Sequence, residues 1–205
     1  MSGSAGPDAL SVARAAFQKA GRESMPRLAG AKYHHATGEL EIVCLGRRYH
    51  IDPSGQVSDA QGRGAAYNIA TLILQYLVSA SGLPPRRRWL AFIELPEGVL
   101  HHAPFVAIAE KPLARHFAGR MEALARAGRL LNAQPLPFGD HSFAVEALPR
   151  LPLAVIFREQ DQEFPAAVSI LFDAVAPASL PTASLWVLGQ ELAMRLMETD
   201  SETMA

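Results

Sequence analysis

The sequence predicts an α+β fold, with about four helices packed on a mostly antiparallel sheet built from short strands and hairpins. Three observations carry that expectation. Apolar residues recur at helical spacing in Ile69, Leu72, Ile73, Tyr76, Leu77 and Ala80. Short β-rich runs come in neighbouring pairs, joined by links shorter than the dozen or more residues of a parallel crossover. The composition, 49% hydrophobic and 19% charged over 205 residues, belongs to ordinary globular chains and excludes disorder, collagen and coiled coil for the bulk of the molecule. This length suits one domain: 1–7 reads as a mobile tail, 8–198 as a single α+β domain and 199–205 as a frayed end.

Asp8 is an N-cap for a first helix with apolar positions Val12, Ala16, Phe17 and Ala20, and Gly21 is its stop. The runs 39–44 and 47–51 flank Leu45-Gly46 and form a hairpin, with Leu40, Ile42, Cys44, Tyr49 and Ile51 on the buried face. Asp52-Pro53-Ser54-Gly55 turns the chain. The helix over 67–81 is the most buried one expected, because Leu74 and Val78 widen its apolar stripe; Gly82 ends it and Pro84-Pro85 forbids its continuation. Residues 89–94 read as a strand entering a Leu-Pro-Glu-Gly turn, and 99–108 as a further strand broken near Pro104. Leu113, Phe117, Met121 and Leu124 carry a helix onward to about Leu131, which Gly119 splits. Three strands follow at 142–148, 153–157 and 167–172, and a helix opens at Pro181-Thr182 with Leu185, Trp186, Leu188, Leu192 and Leu196.

Composition also excludes classes of function. Lys+Arg 19 against Asp+Glu 20 gives a net charge of -1, without the basic excess that drives non-specific nucleic-acid binding. Apolar runs fall well short of the roughly 20 residues that span a bilayer, so no membrane association is expected. One cysteine, Cys44, rules out an internal disulfide and a Cys-rich metal site, and points to a reducing compartment, the cytoplasm. Gly62-Arg63-Gly64 lacks the later glycine of a dinucleotide fingerprint and the Lys-Ser/Thr of a P-loop, so there is no NAD or ATP signature.

Several phrases, in order, resemble an uncharacterised prokaryotic family, domain of unknown function 3786. They are Tyr67-Asn68, Trp89-Leu90-Ala91-Phe92-Ile93-Glu94-Leu95-Pro96-Glu97-Gly98, Lys111-Pro112-Leu113-Ala114, Leu148-Pro149-Arg150-Leu151-Pro152-Leu153, Asp161-Gln162-Glu163-Phe164-Pro165, Ile170-Leu171-Phe172-Asp173 and Leu180-Pro181-Thr182. The resemblance covers about 39–192 and carries no established activity. It implies a setting in the redox or one-carbon metabolism of anaerobes, where some members join the domain to a four-cysteine iron–sulfur module. With Cys44 alone this chain has no iron–sulfur signature.

Four acids are candidates for catalysis. Asp161 and Glu163 sit in a turn and Asp173 ends the strand that follows, so a hairpin that drew them together would shift their pKa values or call for a hard cation. Glu94, at the end of an apolar run, is a general base if buried. Each also suits an ordinary turn. The adjacent pairs His34-His35 and His101-His102 lack the i, i+2 or i, i+4 spacing of a chelate, and an extended chain sends the two members to opposite faces. A site uniting one histidine from each pair is left open, and His101 or His102 is the candidate axial ligand for an apolar cofactor such as a tetrapyrrole. Arg86-Arg87-Arg88 beside Trp89 reads as a solvated basic loop, and Cys44, across the hairpin from His50, as a buried hydrophobe rather than a nucleophile. Three functions follow: an accessory or binding protein with a protein or small-molecule partner, an enzyme with a carboxylate and divalent-metal site, or a cofactor binder.

Overall fold

The computed structural model describes residues 8–22 and 24–204; the expected tail at 1–7 lies outside them. Helix α1 (Ala9–Lys19) starts where Asp8 accepts the Ser11 N–H at 3.0 Å, and it buries Ala13 and Phe17 while Val12 faces solvent. A short helix α2 (Met25–Ala29) leads into strands β1 (Lys32–His34), β2 (Glu39–Cys44), β3 (Arg47–Ile51) and β4 (Val57–Asp59), which pair antiparallel in that order. Leu45 and Gly46 both have positive φ, 48° and 76°, as the tight turn between β2 and β3 requires. Leu40, Ile42, Cys44, Tyr49 and Ile51 are all buried, so the predicted inward face is the observed one. Helix α3 (Tyr67–Ser79) buries every residue from Ile69 to Leu74 together with Tyr76 and Leu77, and the Tyr76 hydroxyl donates to the Pro149 carbonyl.

The second half builds a separate sheet. Strand β5 (Trp89–Ala91) stops short of the expected Glu94, because Phe92–Glu94 is a 3₁₀ turn in which the Glu94 carboxylate accepts the Ala91 N–H at 2.7 Å. The expected strand at 99–108 is instead helix: α4 (Gly98–Phe105) runs through a π turn, Val106–Glu110, into α5 (Lys111–Phe117). Phe105, Ala109, Leu113 and Phe117, all fully buried, form one i, i+4 stripe that continues past Pro104 and Pro112. Gly119, at φ 69°, breaks the chain before α6 (Met121–Leu130), as its position suggests. Strands β6 (Gln134–Pro135), β7 (His141–Leu148), β8 (Leu151–Arg158) and β9 (Ala167–Asp173) complete an antiparallel sheet of order β5-β9-β8-β7-β6.

The last helix, α7 (Thr182–Met204), overrides the expected fraying at Thr199. Thr199 and Asp200 are each 3% exposed, and Asp200 accepts from His116 at 2.9 Å and Arg120 at 2.7 Å, anchoring the helix end to α5 and the α5–α6 turn. The two sheets share a core. The Leu45 N–H donates to the Ala147 carbonyl at 2.9 Å, tying the β2–β3 turn to β7. Phe92 stacks on Phe105 with centroids 4.5 Å apart, and Phe172 meets both near 6 Å, at 6.0 and 5.9 Å. Antiparallel sheets with helices packed around them make the molecule α+β, as predicted, with two sheets in place of one. Among the described residues no helix is long and apolar enough to cross a membrane.

Candidate functional site

The four candidate acids do not meet. Asp161 sits in an exposed turn and accepts the N–H groups of Glu163 and Phe164 at 2.8 and 2.7 Å, bonds that hold its carboxyl below the usual carboxylate range. Glu163 is exposed beside it. Asp173 lies at the other end of β9, roughly 20 Å along a strand rising about 3.3 Å per residue. It is fully buried, and its oxygens accept the backbone N–H groups of Arg86, Arg87 and Val175 at 3.1, 2.6 and 3.0 Å. Asp173 therefore fastens the arginine loop 86–88 to the sheet. Glu94 is exposed and caps its own 3₁₀ turn.

His101 and His102 lie on α4, not on a strand; His101 is exposed, whereas His102 is half-buried and its Nδ1 has no hydrogen-bond partner among the described residues. Cys44 points inward and His50 outward from the hairpin, so they cannot form a nucleophile–base pair. Burial, reinforced by the nearby Glu191 carboxylate, pushes the Cys44 thiol up to about 12, which makes it inert as a thiolate.

The structure gathers other residues. A cleft of about 810 Å³ opens between the β2–β3 turn, the loop after β4, the start of α3 and the middle of α7. Its polar lining includes Arg47, Arg48, Arg63 and Arg195 with Asn68, Asp59, Glu191 and Glu198. Asp59 is consumed by its own loop, accepting the N–H groups of Gln61 and Arg63 at 2.9 Å and the Arg63 Nε at 2.8 Å. Glu191 accepts from Asn68 at 2.8 Å, joining α7 to the first turn of α3. Arg47 and Arg195 both approach Glu198, at 3.9 and 3.7 Å, and Glu202, at 3.2 and 3.4 Å. The N-terminus of α3 has no side-chain cap and no acid in its first turn, so its partial positive charge also faces this cleft.

On the outer face of the first sheet, Glu41 stands directly opposite His50, and diagonally across from His34, which pairs with Glu39. The His34 Nε2 lies 3.1 Å from the Glu41 Oε2, and the ligand atoms of His34, Glu41 and His50 all lie within 4.8 Å of one another. Burial raises the Glu41 pKa, but the His34 hydrogen bond and the Arg48, Lys32 and His34 charges outweigh it and hold the carboxyl below its ordinary value. Neither the cleft nor this triad was anticipated from sequence. For the cleft, no single motif announces residues drawn from four separate parts of the fold; for the triad, strand register was the available signal.

The family described as Domain of unknown function (DUF3786) matches residues 22–195. No curated protein and no solved structure matches the chain.

Proposed function

We propose that this chain, which belongs to the DUF3786 family, is an accessory or binding protein that takes a small polar metabolite bearing a carboxylate or phosphate. The observation that supports this reading is the arginine-lined cleft of about 810 Å³, a size suited to a small-molecule ligand. Guanidinium groups present paired donors that match the oxygens of both anions. The acids now nearest to Arg47 do not close the site. Glu198 and Glu202 are 51% and 58% exposed, and such ion pairs are worth only about 0–1 kcal/mol, so an incoming anion displaces them at little cost. The uncapped start of α3 adds donors of the kind that hold anions, while Glu191 and Asn68 offer an acceptor and a donor to the ligand's neutral end. We assign the protein to the cytoplasm on its lone, buried thiol, and a role beside redox or one-carbon enzymes on the family resemblance alone.

Isothermal titration with inorganic phosphate and with succinate tests this. Saturable binding of either probe to wild type, weakened about tenfold or more in Arg47→Gln and Asn68→Ala, is expected; tenfold is about 1.4 kcal/mol. No saturable binding of either probe, or equal affinity in both variants, overturns the reading.

A further inference from the structure

We propose that His34, Glu41 and His50 form a binding site for a divalent transition-metal ion of the zinc class, with one ligand from each of three adjacent strands. The backbone fixes the arrangement. Antiparallel pairing sets Glu41 on β2 opposite His50 on β3, and β1 places His34 on the same face at the diagonal position. All three side chains are half-buried, and His34 already meets Glu41 at 3.1 Å. An ion held by nitrogen and oxygen at about 2.0–2.2 Å sets its ligand atoms roughly 3–4 Å apart. The present spread of up to 4.8 Å therefore closes by about 1 Å of side-chain rotation, without moving the strands.

The donor set selects the ion. Two imidazoles and one carboxylate suit zinc, cobalt, nickel or iron(II), whereas magnesium and calcium prefer oxygen alone. Three protein ligands leave a coordination position for water or an exogenous group, as in exchangeable rather than closed structural sites. Arg48 lies 3.4 Å from the Glu41 Oε1, so it can orient the carboxylate while Oε2 turns to the metal. The same Arg48 lines the neighbouring cleft, but the metal site does not depend on a ligand there.

The experiment is equilibrium dialysis against zinc chloride, with cobalt(II) absorption reporting coordination. Wild type is compared with His34→Ala, Glu41→Gln, His50→Ala, His35→Ala and Arg47→Gln, and circular dichroism confirms folding of each. Glu41→Gln retains an acceptor for His34 and so preserves the sheet if an alanine variant unfolds. His35 packs edge-on against Tyr33, away from the triad, and serves as the control. Wild type, His35→Ala and Arg47→Gln should bind one equivalent. Each triad substitution should weaken binding about 100-fold or more, beyond the 10–100-fold typical of losing an outer-sphere partner. The proposal is overturned by the lack of stoichiometric zinc in wild type, by unchanged affinity in Glu41→Gln and His50→Ala, or by equal loss in His35→Ala. Arg47→Gln separates it from the cleft, since that variant loses phosphate or succinate affinity while keeping zinc.

Discussion

Replacing Asp173 by alanine tests whether this acid is a clamp for the fold. The side chain is fully buried and accepts three backbone N–H groups, those of Arg86 and Val175 on Oδ1 and that of Arg87 on Oδ2. Val175 is 4% exposed, so its orphaned donor carries the desolvation cost of a buried group, about 1–3 kcal/mol. Arg86 and Arg87 are exposed and regain water, so each loses only the net value of its bond, about 0.5–1.5 kcal/mol. Their sum places Asp173→Ala about 2–6 kcal/mol below wild type, a large share of the roughly 5–15 kcal/mol that holds a domain folded. Asp173→Asn should fall between, because the amide oxygen still serves Arg86 and Val175 while its NH₂ faces the Arg87 donor. Urea unfolding followed by circular dichroism gives all three midpoints and slopes. An alanine variant within about 0.5 kcal/mol of wild type, or an asparagine variant less stable than the alanine one, refutes the reasoning.

Two further predictions concern acids whose folded environments act in opposite directions. Burial raises the Glu110 carboxyl above its usual value, only partly offset by the Ile170 N–H it accepts at 2.9 Å, so the ionised form weakens the fold once pH climbs past the unfolded pKa and through the folded one. Glu110→Gln should match or exceed wild-type stability at neutral pH, with the difference vanishing in acid, whereas Glu110→Ala orphans the donor and costs about 1–3 kcal/mol; melting temperatures across pH check both. For Asp200, burial raises the pKa but hydrogen bonds from His116 and Arg120 win and lower it; its stabilisation is complete above the unfolded value near 3.8 and is lost as pH falls through the folded one. Asp200→Asn should lower the melting temperature at neutral pH and converge with wild type in strong acid, a trend that a parallel pH series would expose if absent.

Local periodicity made much of this fold legible. The β2–β3 hairpin needs only alternation and a two-residue turn, and α3 needs only its stripe, so both followed from residues near in sequence. Proline was a false boundary between 99 and 117. Pro104 and Pro112 divide Phe105, Ala109, Leu113 and Phe117 into fragments too short to show a period, although the helix passes through both prolines by way of a π turn. Strands β1 and β4, three residues each, and β6, two residues, carry too few positions for alternation to register. The helix end at Asp200 is set by hydrogen bonds to His116 of α5 and Arg120 of the α5–α6 turn, a tertiary contact that end-fraying arguments do not see.

The candidate site was less legible for a different reason. The acids 161, 163 and 173 are near in sequence, but one straight strand carries Asp173 away from the other two, so closeness along the chain told against closeness in space. Register works the other way. The turn at Leu45-Gly46 puts Cys44 opposite Arg47 and, three pairs along, Glu41 opposite His50. Once that turn was identified, the partner of His50 was determined, and it was an outward carboxylate rather than the inward thiol considered for it. Only His34 needed more, because β1 is too short to declare itself and its diagonal placement depends on the 35–38 connection. A metal-ligand search that applies hairpin register before it applies linear spacing would find two of the three ligands in a sequence where every i, i+2 and i, i+4 histidine rule fails.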